Sequence, residues 1–285
     1  MQTAVYREMN RAALDAAYNN RAAVPNYPAL VEERRERSNQ IRRSRPCRID
    51  LRYGAGERER LDFFPLDEPN APILLFIHGG YWQSSEKESH SYVAEGPLSR
   101  GIAVALVEYT LAPEAGIDQI VGEIARSIEW LRANARALGG EPNRIYVCGH
   151  SAGGHLTAMM LGKLSIAGAM PISGIFDLEP IRLNYLNAKL RLTEESALRN
   201  SPLRHPPAEC QEVVVAVGAE ELPELKRQSE DYSTVLAERG LPVRHLSLAG
   251  HNHFSILEEM AKPQGKLCEA LVGLVEAGAR SAAQA

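Results

Sequence analysis

From position 73 onward, short uninterrupted apolar runs alternate with longer stretches whose apolar residues recur every third or fourth position. The runs 73–77, 102–108, 144–148, 166–172, 213–217 and 243–248 predict strands buried on both faces. The stretches 117–138, 152–164, 222–239 and 255–277 predict amphipathic helices between and after them. Such alternation implies an α/β fold with a mostly parallel sheet and helices on both faces. Upstream, 47–53 and 59–64 alternate polar and apolar residues around Gly54-Ala55-Gly56, as a half-exposed antiparallel pair does. Placed at one edge, that pair brings the sheet to eight strands. No internal repeat or separating linker is visible, so residues 1–285 read as one domain.

Two regions fall outside this rhythm. Residues 1–45 form an N-terminal helical segment: helical spacing over 2–20, a break at Pro25 and Pro28, then a polar helical stretch over 29–43. Its run Glu32-Glu33-Arg34-Arg35-Glu36-Arg37 mixes signs and reads as a solvated helix face. Residues 177–207 carry no strand signal and end in Ser201-Pro202 and Pro206-Pro207. They are either a helical cap inserted over a site or a surface excursion.

Composition narrows the function classes. With a net charge of −4 over 285 residues, nothing marks nucleic acid or a membrane surface as the partner. No apolar run reaches transmembrane length, and the N-terminus lacks the apolar core of a secretory signal. Cys47, Cys148, Cys210 and Cys268 are scattered, which predicts reduced thiols in a cytoplasmic protein rather than a disulfide framework or a metal site. Neither a metal nor another cofactor is expected. A homodimer is one assembly the sequence allows.

The chemistry is concentrated at strand ends. Gly149-His150-Ser151-Ala152-Gly153 is G-x-S-x-G between a predicted strand and a predicted helix, the context of a nucleophile elbow. His78-Gly79-Gly80-Tyr81-Trp82 follows the strand 73–77, where a backbone oxyanion hole is built. The donors would be the N–H groups of Gly80, Tyr81 and Ala152, with Tyr81 and Trp82 as aromatic walls for substrate and His78 bracing the loop. A serine needs a base, and the base an orienting acid, in the chain order Ser, acid, His. After the strand 213–217 stand Glu220, Glu221 and Glu224; Glu220, nearest the strand end, is preferred, with Asp177 as the fallback. After the strand 243–248 stand His251 and His253.

These motifs resemble the kynurenine formamidase (arylformamidase) branch of the α/β-hydrolases, near the hormone-sensitive-lipase-like esterases. The likeness extends to Tyr18-Asn19-Asn20-Arg21, to the segment 217–229 and to Asn252-His253-Phe254-Ser255, so it spans most of the chain. It implies a small cap region on an α/β-hydrolase fold and a cofactor-free serine hydrolase. The reaction would release formyl or other small acyl groups from arylamines or aryl alcohols, with carboxylester cleavage as the alternative. It places the base at His253. Two departures stand out: the branch usually has Asp where Glu220 aligns, and many lipase-like relatives have a third glycine where this chain has Tyr81.

Overall fold

The structure, a computed structural model, describes residues 3–284, with side chains from 3 to 280. Its eight strands are β1 (Arg48–Arg52), β2 (Arg60–Phe64), β3 (Ala71–Ile77), β4 (Ala103–Val107), β5 (Gly140–His150), β6 (Gly168–Ile172), β7 (Val213–Gly218) and β8 (Val243–Leu248). They form one sheet in the order β1-β2-β4-β3-β5-β6-β7-β8. β2 runs antiparallel to both β1 and β4, and all other neighbours are parallel.

The apolar runs lie in the middle because both faces are covered. Every residue of β3, β4, β6 and β7 is buried. Along β3 the pleat sends Leu75 into a core with Ile124 and Ile128, and Phe76 into the opposite core with Leu271 and Leu274. β8 departs from the expected double burial. It is an edge strand, and Arg244, His245 and Ser247 are exposed.

The helices differ from the expected spans where local chemistry intervenes. The stretch 255–277 is broken: helical turns end at Ala261, and the last helix, Lys266–Gln284, begins after Pro263 and Gly265. Proline cannot continue the ladder. A Cβ on Gly265 would lie 2.2 Å from the Glu259 carbonyl oxygen, so only glycine permits this close approach. An unanticipated pair of helical segments, Lys87–Ala94 and Glu95–Ser99, fills the connection between β3 and β4.

The first N-terminal helix spans only Arg11–Ala17, capped by the Asn10 side chain accepting from Ala13 N at 2.9 Å. Gln2 lies outside the described residues. The second spans Tyr27–Ser44 with Pro28 in its first turn. Its charged run is not uniformly solvated. Arg34, Ser38 and Ile41 share a buried stripe, and Arg37 pairs with Glu258 at 2.5 Å. The mixed signs concealed a packing face because its partner carboxylate comes from a distant segment.

Candidate active site

Parallel strands end on the same edge of the sheet, which brings the loops after β3, β5, β6, β7 and β8 together. Ser151 sits between β5 and the helix Ala152–Met160 with φ 58° and ψ −116°. A non-glycine residue held there costs roughly 1–3 kcal/mol, so its surroundings must over-determine it. They do. Ser151 N donates to Ile172 O at 2.8 Å. The flanking glycines let helix and strands close up: a Cβ on Gly153 would come within 2.0 Å of Ile77 O, and one on Gly149 within 2.2 Å of Gly153 O.

The acid expected at Glu220 is corrected. Glu220 is exposed, whereas Glu221 is buried and its Oε2 accepts from His253 Nδ1 at 2.6 Å. The turn after β7 decides between these neighbours. Glu221 N closes onto Gly218 O and Glu220 N donates to His251 O, so consecutive side chains point to opposite sides. Glu221 Oε1 accepts from Ser173 Oγ at 2.5 Å and from Gly218 N at 2.8 Å, leaving Oε2 for the imidazole. Glu224 instead pairs with Arg227 at 2.8 Å, and Asp177 with Arg204 at 2.6 Å. The His251 ring lies 3.2 Å from Ser255 O and 3.6 Å from Glu259, away from this pair.

The loop after β3 is held from below. His78 Nε2 lies 2.9 Å from Glu108 Oε1, its ring stacks on Tyr109 at 4.4 Å, and Tyr109 OH donates to His78 O at 3.0 Å. Burial pushes the Glu108 carboxyl up, but His78, by attraction and hydrogen bond, and Arg58 outweigh it and bring it down to about 2. Gly80 has φ +106°, and a Cβ there would sit 2.1 Å from Ser84 O. Among the described residues the N–H groups of Gly80 and Tyr81 have no acceptor. Ala152 N–H, at the first position of its helix, has no intrahelical one.

Tyr81 borders the cavity. Its OH donates to Tyr18 O at 2.6 Å and accepts from Asn20 Nδ2 at 3.0 Å. Burial raises that hydroxyl well above its ordinary value, so it stays a donor. Trp82, expected as a substrate wall, is corrected. Its backbone turns through φ 58° and its ring lies wholly in the core, edge-on to His155 at 5.0 Å.

Ser151 and His253 border one cavity of 420 Å³, together with Gly79, Gly80 and Tyr81. Its cover is not the segment 177–207, whose helical turns line none of it. The N-terminal segment supplies the cover through Asn20, Arg21, Tyr27, Val31, Arg34 and Arg35. Arg34 ties that cover to the histidine loop: its guanidinium donates to Phe254 O and meets Glu258 at 3.4 Å. His150, passed over in the sequence, also borders the cavity, and its Nε2 meets His253 O at 2.7 Å. Burial holds His150 well below its ordinary value, so it is a neutral donor that positions the loop. The only sequence signal for it is its place beside the serine. Among the described residues, no group of three His, Cys, Asp or Glu could hold a metal ion.

The family model BD-FAE matches residues 63–170. The kynurenine formamidase of Danio rerio is 35% identical over 243 residues, covering 80% of this chain and 81% of the relative. The chain belongs to the kynurenine formamidase family. The Salmo salar family member gives the same picture, 35% identity over 80% of this chain and 81% of its own. Among solved structures, a candidate thioesterase from Silicibacter sp. tm1040 superposes with a TM-score of 0.82 at 30% identity, covering 90% of this chain and 97% of that one. A Pyrobaculum calidifontis esterase, 20% identical with a TM-score of 0.71 over 92% of this chain and 95% of its own, shares the α/β-hydrolase fold. This family member is a hydrolase of amide or ester bonds. No helix among its described residues is long and apolar enough to cross a membrane.

Proposed function

We propose that this chain hydrolyses small-acyl amides or esters of aromatic leaving groups, formyl arylamines foremost, through Ser151, His253 and Glu221. The observation that carries the reading is the 2.6 Å contact from His253 Nδ1 to a buried carboxylate, with Ser151 bordering the same cavity as the imidazole. Bonding at Nδ1 leaves Nε2 as the basic nitrogen. His253 takes the Ser151 proton as Oγ attacks the acyl carbon, and the developing oxyanion meets the N–H groups of Gly80, Tyr81 and Ala152. As the intermediate collapses, the same proton passes to the leaving amine or aryl oxide. Water then attacks the acyl-enzyme with His253 again as base, which frees the acid and restores Ser151.

Tyr81, pinned at its hydroxyl by Tyr18 and Asn20, lines the cavity that Ser151 borders, and a ring fixed there supports a short acyl group. The names of the formamidase relatives support a formyl amide. The four free thiols support a cytoplasmic location. The test is a series of aryl esters and anilides from formyl to decanoyl. Since each methylene that fits or clashes changes binding by roughly 1 kcal/mol, kcat/KM should peak between formyl and butyryl. A maximum at octanoyl or beyond would replace this reading with a long-chain esterase.

A further inference from the structure

The covering segment brings three guanidinium groups to the cavity, and they are not equivalent. Arg34 is matched by Glu258, and Arg35 by Glu32 at 2.7 Å. Arg21 is exposed, borders both the 420 Å³ cavity and the adjoining 200 Å³ cavity beyond Tyr81, and makes no ion pair among the described residues. It is nevertheless held in place. Its Nη2 donates to Ser84 Oγ at 3.2 Å, and Ser84 Oγ donates to Gly80 O at 3.1 Å, which ties the cation to the oxyanion loop. Its guanidinium carbon lies 5.4 Å from the Tyr27 ring centre, and that ring packs 4.5 Å from Phe254, next to His253. Asn19 Oδ1 accepts from Ala22 N at 3.2 Å and sets the turn that presents it.

A positioned cation that makes no ion pair among the described residues, at the mouth of a site, is a receptor for an anion. Planar guanidinium groups match carboxylates in particular. Resting on the reaction proposed above, in which the acyl group is small, a substituent reaching this rim belongs to the leaving group. We propose that Arg21 is a specificity-determining residue that selects substrates whose aromatic leaving group carries a carboxylate.

The test compares phenyl acetate, 4-carboxyphenyl acetate and monophenyl succinate on the wild type and on Arg21→Gln, Arg21→Glu and Arg21→Lys. Intrinsic reactivity cancels when the carboxylated-to-neutral ratio of kcat/KM is compared between proteins. For 4-carboxyphenyl acetate that ratio should fall about tenfold in Arg21→Gln, the worth of one charge-assisted hydrogen bond. It should fall further in Arg21→Glu and recover in Arg21→Lys, which separates charge from any disturbance of the turn. The change should lie in KM, because a remote ion pair is the same in ground and transition states. Raising the salt from ~0.05 to ~0.5 M should narrow the preference in the wild type and in Arg21→Lys, and leave the ratio unchanged in Arg21→Gln.

A ratio unmoved by more than about twofold in both Gln and Glu variants, below what any charge-assisted bond supplies, overturns the inference. So does a dependence confined to monophenyl succinate, which carries its charge on the acyl side. If the wild type cleaves these esters and the ratio is unmoved, this inference alone falls. If it cleaves none of them, the proposed reaction falls with it.

Discussion

Glu221→Gln keeps the size of the side chain and changes one atom from acceptor to donor. Oε1 accepts from two donors, Ser173 Oγ and Gly218 N, and so retains the oxygen after substitution. The new amide NH2 then faces His253 Nδ1, where a carboxylate oxygen now accepts at 2.6 Å. Two donors cannot share that contact, so the imidazole must place its proton on Nε2. In that tautomer it cannot accept from Ser151. The equivalent acid-to-amide change in a serine triad lowers kcat by about 10,000-fold, or roughly 5 kcal/mol of barrier. Glu221→Ala is a poorer probe, because it strands Ser173 Oγ, Gly218 N and Nδ1, at roughly 1–3 kcal/mol for each unpaired group. The assay is steady-state hydrolysis of 4-nitrophenyl acetate, with thermal melting to show that the fold survives. Glu220→Gln, in an exposed side chain, should stay within about threefold of wild type, as surface substitutions do. A Glu221→Gln protein that keeps more than about a tenth of its activity, where tautomer loss removes far more, would refute the reasoning. So would a larger loss in Glu220→Gln.

Gly80→Ala should cost at least about 100-fold in kcat, because its Cβ would collide with Ser84 O and pull the loop's N–H groups off the oxyanion; near-normal turnover would count against that loop. Glu108 carries a pH signature. Its folded value of about 2 lies below its ordinary 4.5, so its contribution is complete above pH 4.5 and is lost as pH falls toward 2. That difference corresponds to on the order of 3 kcal/mol. Glu108→Gln should therefore be less stable than wild type near neutrality, and the gap should close through that window; chemical denaturation at stepped pH measures it, and a constant gap would contradict the brace.

The sheet was legible because burial on both faces leaves an unbroken apolar run, and parallel strands of that kind alternate with helices. The tight turns at Ser151 and after β3 were legible because backbone strain and close approach demand glycine at set spacings. The choice between Glu220 and Glu221 was not legible, since both follow β7 and only the hydrogen bond from Glu221 N to Gly218 O determines which side chain turns inward. Trp82 was misplaced for a related reason. Three successive positive φ values, at Gly80, Tyr81 and Trp82, reverse the chain and drive the indole beneath the loop that Tyr81 borders. Arg34 read as a solvated charge because its partners, Phe254 O and Glu258, lie more than 200 positions away. Long-range polar pairing leaves no local period to read.

The central claim is that Ser151 is the nucleophile. The competing hydroxyl is close at hand: Ser173 also has a positive φ, 50°, and its Oγ donates to Glu221, the carboxylate that His253 meets. Treatment with phenylmethylsulfonyl fluoride followed by peptide mapping separates the two. A nucleophilic Ser151 should take one sulfonyl group per chain, with activity lost in proportion to labelling and no labelling in Ser151→Ala. Labelling at Ser173, or full activity in a chain whose Ser151 is modified, would contradict it.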